Sequence, residues 1–151
     1  MILSFTPATL EYASLMAALD GACFDSEVFS EDMLVSLMKT PYVFGFIALA
    51  DKRPIGYNLV SVAGRQGDLL TIGIIPEFRG RGLGRDCLIH LLKEASVRGI
   101  KELFLEVRPT NVAAVNLYVS FGATKEGLRK NYYVNELTGE KEDAIVMRLP
   151  V

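Results

Sequence analysis

The stretch IIPEFRGRGLGRD, residues 74–86, sets three glycines, Gly80, Gly82 and Gly84, among three arginines, Arg79, Arg81 and Arg85. An apolar run, DLLTIGIIP (68–76), leads into it. Behind it Leu83, Cys87, Leu88, Leu91, Leu92 and Ala95 recur at helical spacing, with Gly99 as a stop. The stretch is therefore a strand-to-helix turn. Glycine loses more backbone entropy on ordering than any other residue and offers no side chain to pack. Three of them in five positions need a reason. A helix start presents unpaired N–H groups and the positive end of the helix dipole, and glycines let a phosphate approach that backbone closely. With the arginines adding charge, the turn is expected to hold an anion, a diphosphate above all. A tight turn without a ligand is the alternative, and three glycines weigh against it.

Two nucleotide-binding patterns do not fit. No Lys follows the last glycine, as a phosphate-binding loop of the G-x-x-x-x-G-K-[ST] type requires. The glycine spacing is also not that of G-x-G-x-x-G. Upstream, YVFGFIALA (42–50), IGYNLVSVA (55–63) and DLLTIGIIP (68–76) are strand-like and joined by short turns. That predicts an antiparallel meander rather than the parallel units of a dinucleotide fold.

The remaining elements follow from the same periodicities. Residues 2–6 predict a short strand before Pro7, and residues 8–20 a helix ended by Gly21. Ser30 is expected to cap a second helix carrying Leu34, Leu37 and Met38 on its apolar face. KELFLEV (101–107) predicts a strand parallel to the one ending at Pro76, because a helical crossover joins them. A short helix over 111–121 and two strands near 123–134 and 143–149 complete the order β-α-α-β-β-β-α-β-α-β-β, a mixed α/β sheet.

The chain has 151 residues, half of them hydrophobic and under a quarter charged, which suits one globular domain spanning 1–151. Cys23 and Cys87 form neither a disulfide framework nor a zinc pattern, so a reducing compartment is expected. The first 38 residues hold no Lys or Arg, unlike a signal peptide, and no apolar run approaches the ~20 residues of a membrane span. A cytoplasmic protein without a membrane partner is the expectation. A net charge of −2 argues against a nucleic-acid partner. Residues 1–38 hold six acids and no base, whereas residues 79–130 hold ten bases and five acids. An acidic end and a basic middle suggest two different ligands. Solvated surface charge is the alternative for any single residue.

Arg79-Gly80-Arg81-Gly82-Leu83-Gly84 matches the R/Q-x-x-G-x-G/A signature of the GCN5-related N-acetyltransferase (GNAT) superfamily. LEVRPTNVAAVNLYVSFGA (105–123), RKNYY (129–133) and EDAIVMRLP (142–150) resemble the ribosomal-protein alanine N-acetyltransferases (RimI-like enzymes) within it. The resemblance runs from about residue 68 to the end, and over residues 1–65 it rests on element order. The subfamily usually carries Pro-Trp-Ser near its second helix, where this chain has Val28-Phe29-Ser30 and no Trp at all. The departure bears on acceptor choice.

The resemblance implies a mostly antiparallel GNAT-like sheet with helices on both faces, acetyl-CoA as cosubstrate and no metal. It implies direct attack by an amine in a ternary complex. A monomer or weak homodimer is the expectation for the assembly. The acceptor it implies is a protein N-terminal α-amine, with a ribosomal protein beginning in alanine as the expected partner. The turn Arg79–Arg85, through Arg79, Gly80, Arg81, Gly82, Leu83, Gly84 and Arg85, matches the pyrophosphate-binding segment. Ile72, Gly73 and Ile74 match strand positions whose backbone groups hold the pantetheine arm and polarise the thioester. From pattern alone Gly73 is a bulge or close-approach glycine, or a packing glycine beneath a large neighbour.

Glu106 interrupts Leu103, Phe104, Leu105 and Val107 in a strand expected to be covered on both faces. A carboxylate there costs free energy unless it is solvated, paired or protonated, and such placements recur among general bases. A strand-end Glu paired to Arg108 or to a surface base is the equal alternative. The resemblance favours a general base, acting directly or through a water. Tyr118 lies two helical turns after Asn111. Its spacing favours a core aromatic, whereas the resemblance assigns it protonation of the departing thiolate. Asn111 is a good helix cap and also matches a cofactor-contacting residue.

His90, one turn from Glu94, is expected at the surface or core boundary, and Cys87 in the core. The acidic segment FDSEVFSED (24–32), through Asp25, Glu27 and Phe29, would attract a basic N-terminal segment, with Tyr132 and Tyr133 lining the same groove. Packing is the alternative for at least one of those tyrosines. The rival functions are acetylation of a lysine side chain or small amine, a non-catalytic acyl-CoA-binding module, and a nucleotide-binding regulatory domain.

Overall fold

A computed structural model describes residues 1–25, 28–135 and 137–151. Among the described residues seven strands form one sheet: β1 (Leu3–Pro7), β2 (Val43–Ala50), β3 (Arg53–Ala63), β4 (Gln66–Ile74), β5 (Glu102–Val107), β6 (Thr124–Val134) and β7 (Lys141–Pro150). Among the described residues four α-helices accompany them: α1 (Ala13–Cys23), α2 (Glu31–Met38), α3 (Leu83–Val97) and α4 (Val112–Ser120). The sheet order is β1-β2-β3-β4-β5-β7-β6, antiparallel except for the β4–β5 pair. This is the mixed, mostly antiparallel architecture the sequence predicts.

The core has two parts. One packs α1, α2 and the start of α3 against Ile47, Ile55, Tyr57, Leu59 and Ile74. The other packs the rest of α3 and α4 against Phe46, Val60, Leu69, Leu103, Leu105 and Leu149. Adjacent residues such as Leu59 and Val60 enter different clusters, because successive side chains of a strand point to opposite faces. Helices therefore cover both faces of the sheet.

The cleft comes from a failure of pairing. β4 and β5 pair in parallel only over Gln66–Glu102, Gly67–Leu103 and Asp68–Phe104. On the other side of β4, Leu59 pairs with Thr71 and Val60 with Leu69, so Leu70 is an extra residue. A bulge of this kind bends its strand and increases its twist. It sits where β4 and β5 part, and the two strands diverge beyond it.

Two expectations change here. α1 does not stop at Gly21 but runs to Cys23, where the Phe24 N–H bonds the Asp20 carbonyl at 3.0 Å. Burial of Met16, Leu19, Asp20 and Cys23 carries the helix past a glycine that costs only about 1 kcal/mol. β5 is not covered on both faces. Leu103, Leu105 and Val107 are buried, whereas Glu102, Phe104 and Glu106 on the other face are only partly buried, and Glu106 lines the opening where the strands part.

Burial predicts an alkaline stability limit. Desolvation pushes the Cys23 thiol up to about 11 and the Cys87 thiol up to about 12. It also pushes the Tyr133 phenol up to about 12, and the Tyr57 and Tyr118 phenols well above their ordinary value. In the unfolded chain these groups ionise from about 8.5 for cysteine and about 10 for tyrosine. Between those values and the folded ones the native state binds more protons. Their contribution is thus complete below about pH 8.5 and lost as pH rises through the folded values. Tm is expected to fall steadily from about pH 8.5 to 10.5, and a flat Tm would contradict the burial.

Candidate active site

Between the parted strands lies a cavity of about 1040 Å³. Asp25, Phe29, Ile72, Glu106, Asn111, Tyr118, Tyr132 and Tyr133 all line it. The structure thus brings together the expected base, acid, helix cap and acceptor residues. Glu27 lies outside the described residues. A smaller cavity of about 280 Å³ shares Phe29, Leu69, Leu70, Glu106 and Tyr132 with the first.

Glu106 has a side chain 26% exposed, and its Oε1 lies 3.3 Å from Arg129 Nε. Of the alternatives in the sequence, the surface base is the partner. Arg108 instead pairs with Glu142 at 3.2 Å, and the Thr110 hydroxyl fixes Glu142 at 2.7 Å. Glu106 is solvated and paired, not sealed in a dry site.

Tyr118 is buried at the cavity wall. Burial pushes its phenol well above the usual tyrosine range, with nearby Tyr133 adding to the shift. It therefore stays a proton donor at neutral pH. It packs in the core, as its spacing favours, and also reaches the cavity wall. Asn111 is the cap of α4, its side-chain oxygen accepting from the Ala114 N–H at 3.3 Å, and it faces the same cavity.

Tyr132 and Tyr133 meet edge to face at 4.9 Å. A bulge between Arg129 and Tyr133 places Asn131 at φ 55°, and its N–H bonds Asp143 at 2.9 Å. Asn is among the few side chains that accept this left-handed conformation.

The glycine turn lies apart from the cavity, at the start of α3. Gly80 and Gly82 have φ of 75° and 76°. A Cβ placed on either, or on Gly84, would meet nothing within 4 Å, so the space in front of the turn is open. The first α3 bond runs from the Asp86 N–H to the Gly82 carbonyl, and amides before it lack an intrahelical acceptor. Leu83 turns its side chain into the core. This arrangement fits a diphosphate held by backbone.

The arginines do not all face it. Arg79 donates to the Ile74 carbonyl at 2.8 Å and the Cys23 carbonyl at 2.7 Å, so its side chain clamps the strand to α1 instead. Arg81 lies over Phe78 at 5.0 Å, and Arg85 over Phe121 at 4.8 Å. Gly73 is the packing glycine of its two readings. A Cβ there would sit 3.0 Å from the Phe24 ring and 3.1 Å from Cys23 Sγ, and the bulge is at Leu70. Beyond Asp68 the β4 edge facing β5 leaves its ladder, which gives Ile72 and its neighbours backbone groups to offer a ligand.

His90 stacks on Phe5 with centroids 3.8 Å apart and takes no part in the cleft, as a boundary residue should. Sequence reasoning gave no place on the cavity wall to Leu70, Arg108 or Leu137. It also gave no role to Asp20, a polar residue at helical spacing from Met16 and Cys23 on the buried stripe of α1.

The model of the acetyltransferase (GNAT) family matches residues 13–123. The chain belongs to that family. It is an N-acetyltransferase, in a family that uses acetyl-CoA. It is 41% identical over 102 residues to the [ribosomal protein bS18]-alanine N-acetyltransferase of Salmonella typhimurium, with 68% of each chain covered. It is 40% identical over 95 residues to the Escherichia coli enzyme of that name, covering 63% of each. The crystal structure of the ribosomal-protein-S18-alanine N-acetyltransferase from Escherichia coli superposes with a TM-score of 0.91 at 28% identity, over 99% of this chain and 94% of that one. The resemblance read from the glycine turn and the RKNYY segment holds across the whole fold. Among the described residues, no helix is long and apolar enough to cross a membrane.

Proposed function

We propose that the protein transfers the acetyl group of acetyl-CoA to the α-amine of a protein N-terminus, in the cytoplasm, and that the acceptor is a ribosomal protein beginning in alanine. One observation carries the chemistry: Glu106 and Tyr118 line one cleft, opened where β4 and β5 part. The acceptor is supported by the two relatives, whose names specify the alanine of ribosomal protein bS18.

Each residue has a part in this reading. Glu106 takes the proton from the attacking amine. Its carboxylate lines the cleft, where an acceptor amine can reach it. An α-amine has pKa ~7.7–8.0 against ~10.4 for lysine, so a solvated carboxylate suffices as its base. Tyr118, kept protonated by burial, gives its proton to the leaving sulfur. Backbone amides of Gly80 to Arg85 hold the diphosphate, the free edge of β4 at Ile72 to Ile74 holds the pantetheine arm, and Asn111 borders it. Acetyl-CoA supplies the activated acyl group. Asp25, Phe29, Tyr132 and Tyr133 form the acceptor wall, and Asp25 draws basic segments. The protein acts as a monomer or weak homodimer in this reading, without a metal.

The test is where the acetyl group lands on a short peptide beginning with alanine and carrying an internal lysine. The α-amine is expected, and transfer to the lysine contradicts the reading.

A further inference from the structure

Asp20 is a fully buried acid on α1, with no exposed surface. A carboxylate so placed must have its oxygens satisfied. Oδ2 accepts from the Phe29 N–H at 2.7 Å. Oδ1 accepts from the Tyr57 hydroxyl at 2.5 Å, with the Thr71 hydroxyl 3.5 Å away. One side chain thus joins α1, β3 and the backbone just ahead of α2. Thr71, beside that carboxylate, also lines the cleft.

Phe29 is one of the five wall residues shared by both cavities. Two described residues ahead of Ser30 are held through their backbone. Arg79 grips the Cys23 carbonyl at 2.7 Å, and Asp20 grips the Phe29 amide. Ser30 follows at once as the cap of α2, its hydroxyl accepting from the Met33 N–H at 3.2 Å. A hydrogen bond to a buried charge is among the stronger single contacts a loop can have. Tyr57 is too deep to touch an acceptor, and the Thr71 hydroxyl is at the long limit of a hydrogen bond, so what Asp20 holds most firmly on the cleft side is the backbone that aims Phe29.

We propose that Asp20 is a positioning residue for the acceptor: it sets the Phe29 wall against which the first side chain of the acceptor packs. This rests on the acceptor-side reading above. Asp20 touches no reacting atom, and its effect passes through the Phe29 amide.

The experiment compares Asp20→Asn with Tyr57→Phe. The first weakens the grip on Phe29. The second removes another donor from the same carboxylate and leaves that grip in place. Asp20→Asn is expected to raise the peptide KM roughly tenfold, the scale of one charged hydrogen bond, with acetyl-CoA KM within about twofold of wild type. Tyr57→Phe is expected to lower Tm while leaving the peptide KM near wild type. A parallel rise of both KM values in Asp20→Asn, or no change in either, overturns the proposal. So does an equal peptide effect in the two variants.

Amide hydrogen exchange in the wild-type protein gives a second arm. Slow exchange at Phe29 is expected, and exchange as fast as in a free loop overturns the anchor whether or not Asp20→Asn folds. If the wild-type protein acetylates no peptide, the acceptor reading fails. The anchor is then judged on the Phe29 amide alone.

Discussion

Glu106→Gln is expected to lower kcat/KM for an acceptor peptide by about a hundredfold or more, the scale of a lost general base. The change preserves size and leaves the strand pairing of Glu106 with Val146 intact. It removes an ion pair to an Arg129 side chain that is 59% exposed, and such surface pairs contribute about 0–1 kcal/mol. Tm is therefore expected to stay within a few degrees of wild type, with acetyl-CoA KM unchanged. The loss has a pH signature. Below the ~7.7–8.0 pKa of an α-amine the acceptor is mostly protonated and needs the base. Above it the free amine supplies itself, and the gap between variant and wild type narrows. Steady-state kinetics from pH 6.5 to 9.5 checks this. An unchanged kcat/KM would make Glu106 a strand-end residue that merely pairs with Arg129.

Gly82→Val is expected to raise the acetyl-CoA KM by roughly tenfold to a hundredfold, with peptide KM little changed. Gly82 sits at φ 76°, where a non-glycine residue is strained by about 1–2 kcal/mol and a β-branched one by more. The Cβ itself meets nothing within 4 Å, so the cost is backbone strain and not a clash with the core. Relief of that strain turns the amides at the start of α3 away from the diphosphate. Kinetics with acetyl-CoA varied at fixed peptide checks it. An unchanged acetyl-CoA KM in a folded variant would place the cofactor elsewhere.

The glycine turn and the meander were legible because each leaves a local mark. Glycine has no other use at such density, and period-two apolar runs broken by short turns mark strands. The parallel placement of β5 followed from the length of its crossover helix. What stayed hidden depends on register and tertiary contact. The Leu70 bulge leaves no trace in an apolar run such as DLLTIGII, yet it lies where the cleft opens. The partner of Glu106 lies on β6, across the intervening β7, so neighbouring Arg108 was a poor guide. Arg79 reads as an anion ligand from its place beside the glycines, but two carbonyls claim its guanidinium. Asp20 did leave a mark, since an acid on the buried stripe of an amphipathic helix needs partners. The charge count of the first 38 residues took it only as one acid among six.

The most direct measurement of the central claim is thiol release from acetyl-CoA with a panel of short peptides. It would include free Ala and Ser N-termini, and α-acetylated controls carrying a lysine. Release with the free N-termini, lost in the controls and in Glu106→Gln, is the predicted result. Turnover of the α-acetylated lysine peptides, or turnover that survives Glu106→Gln undiminished, would contradict it.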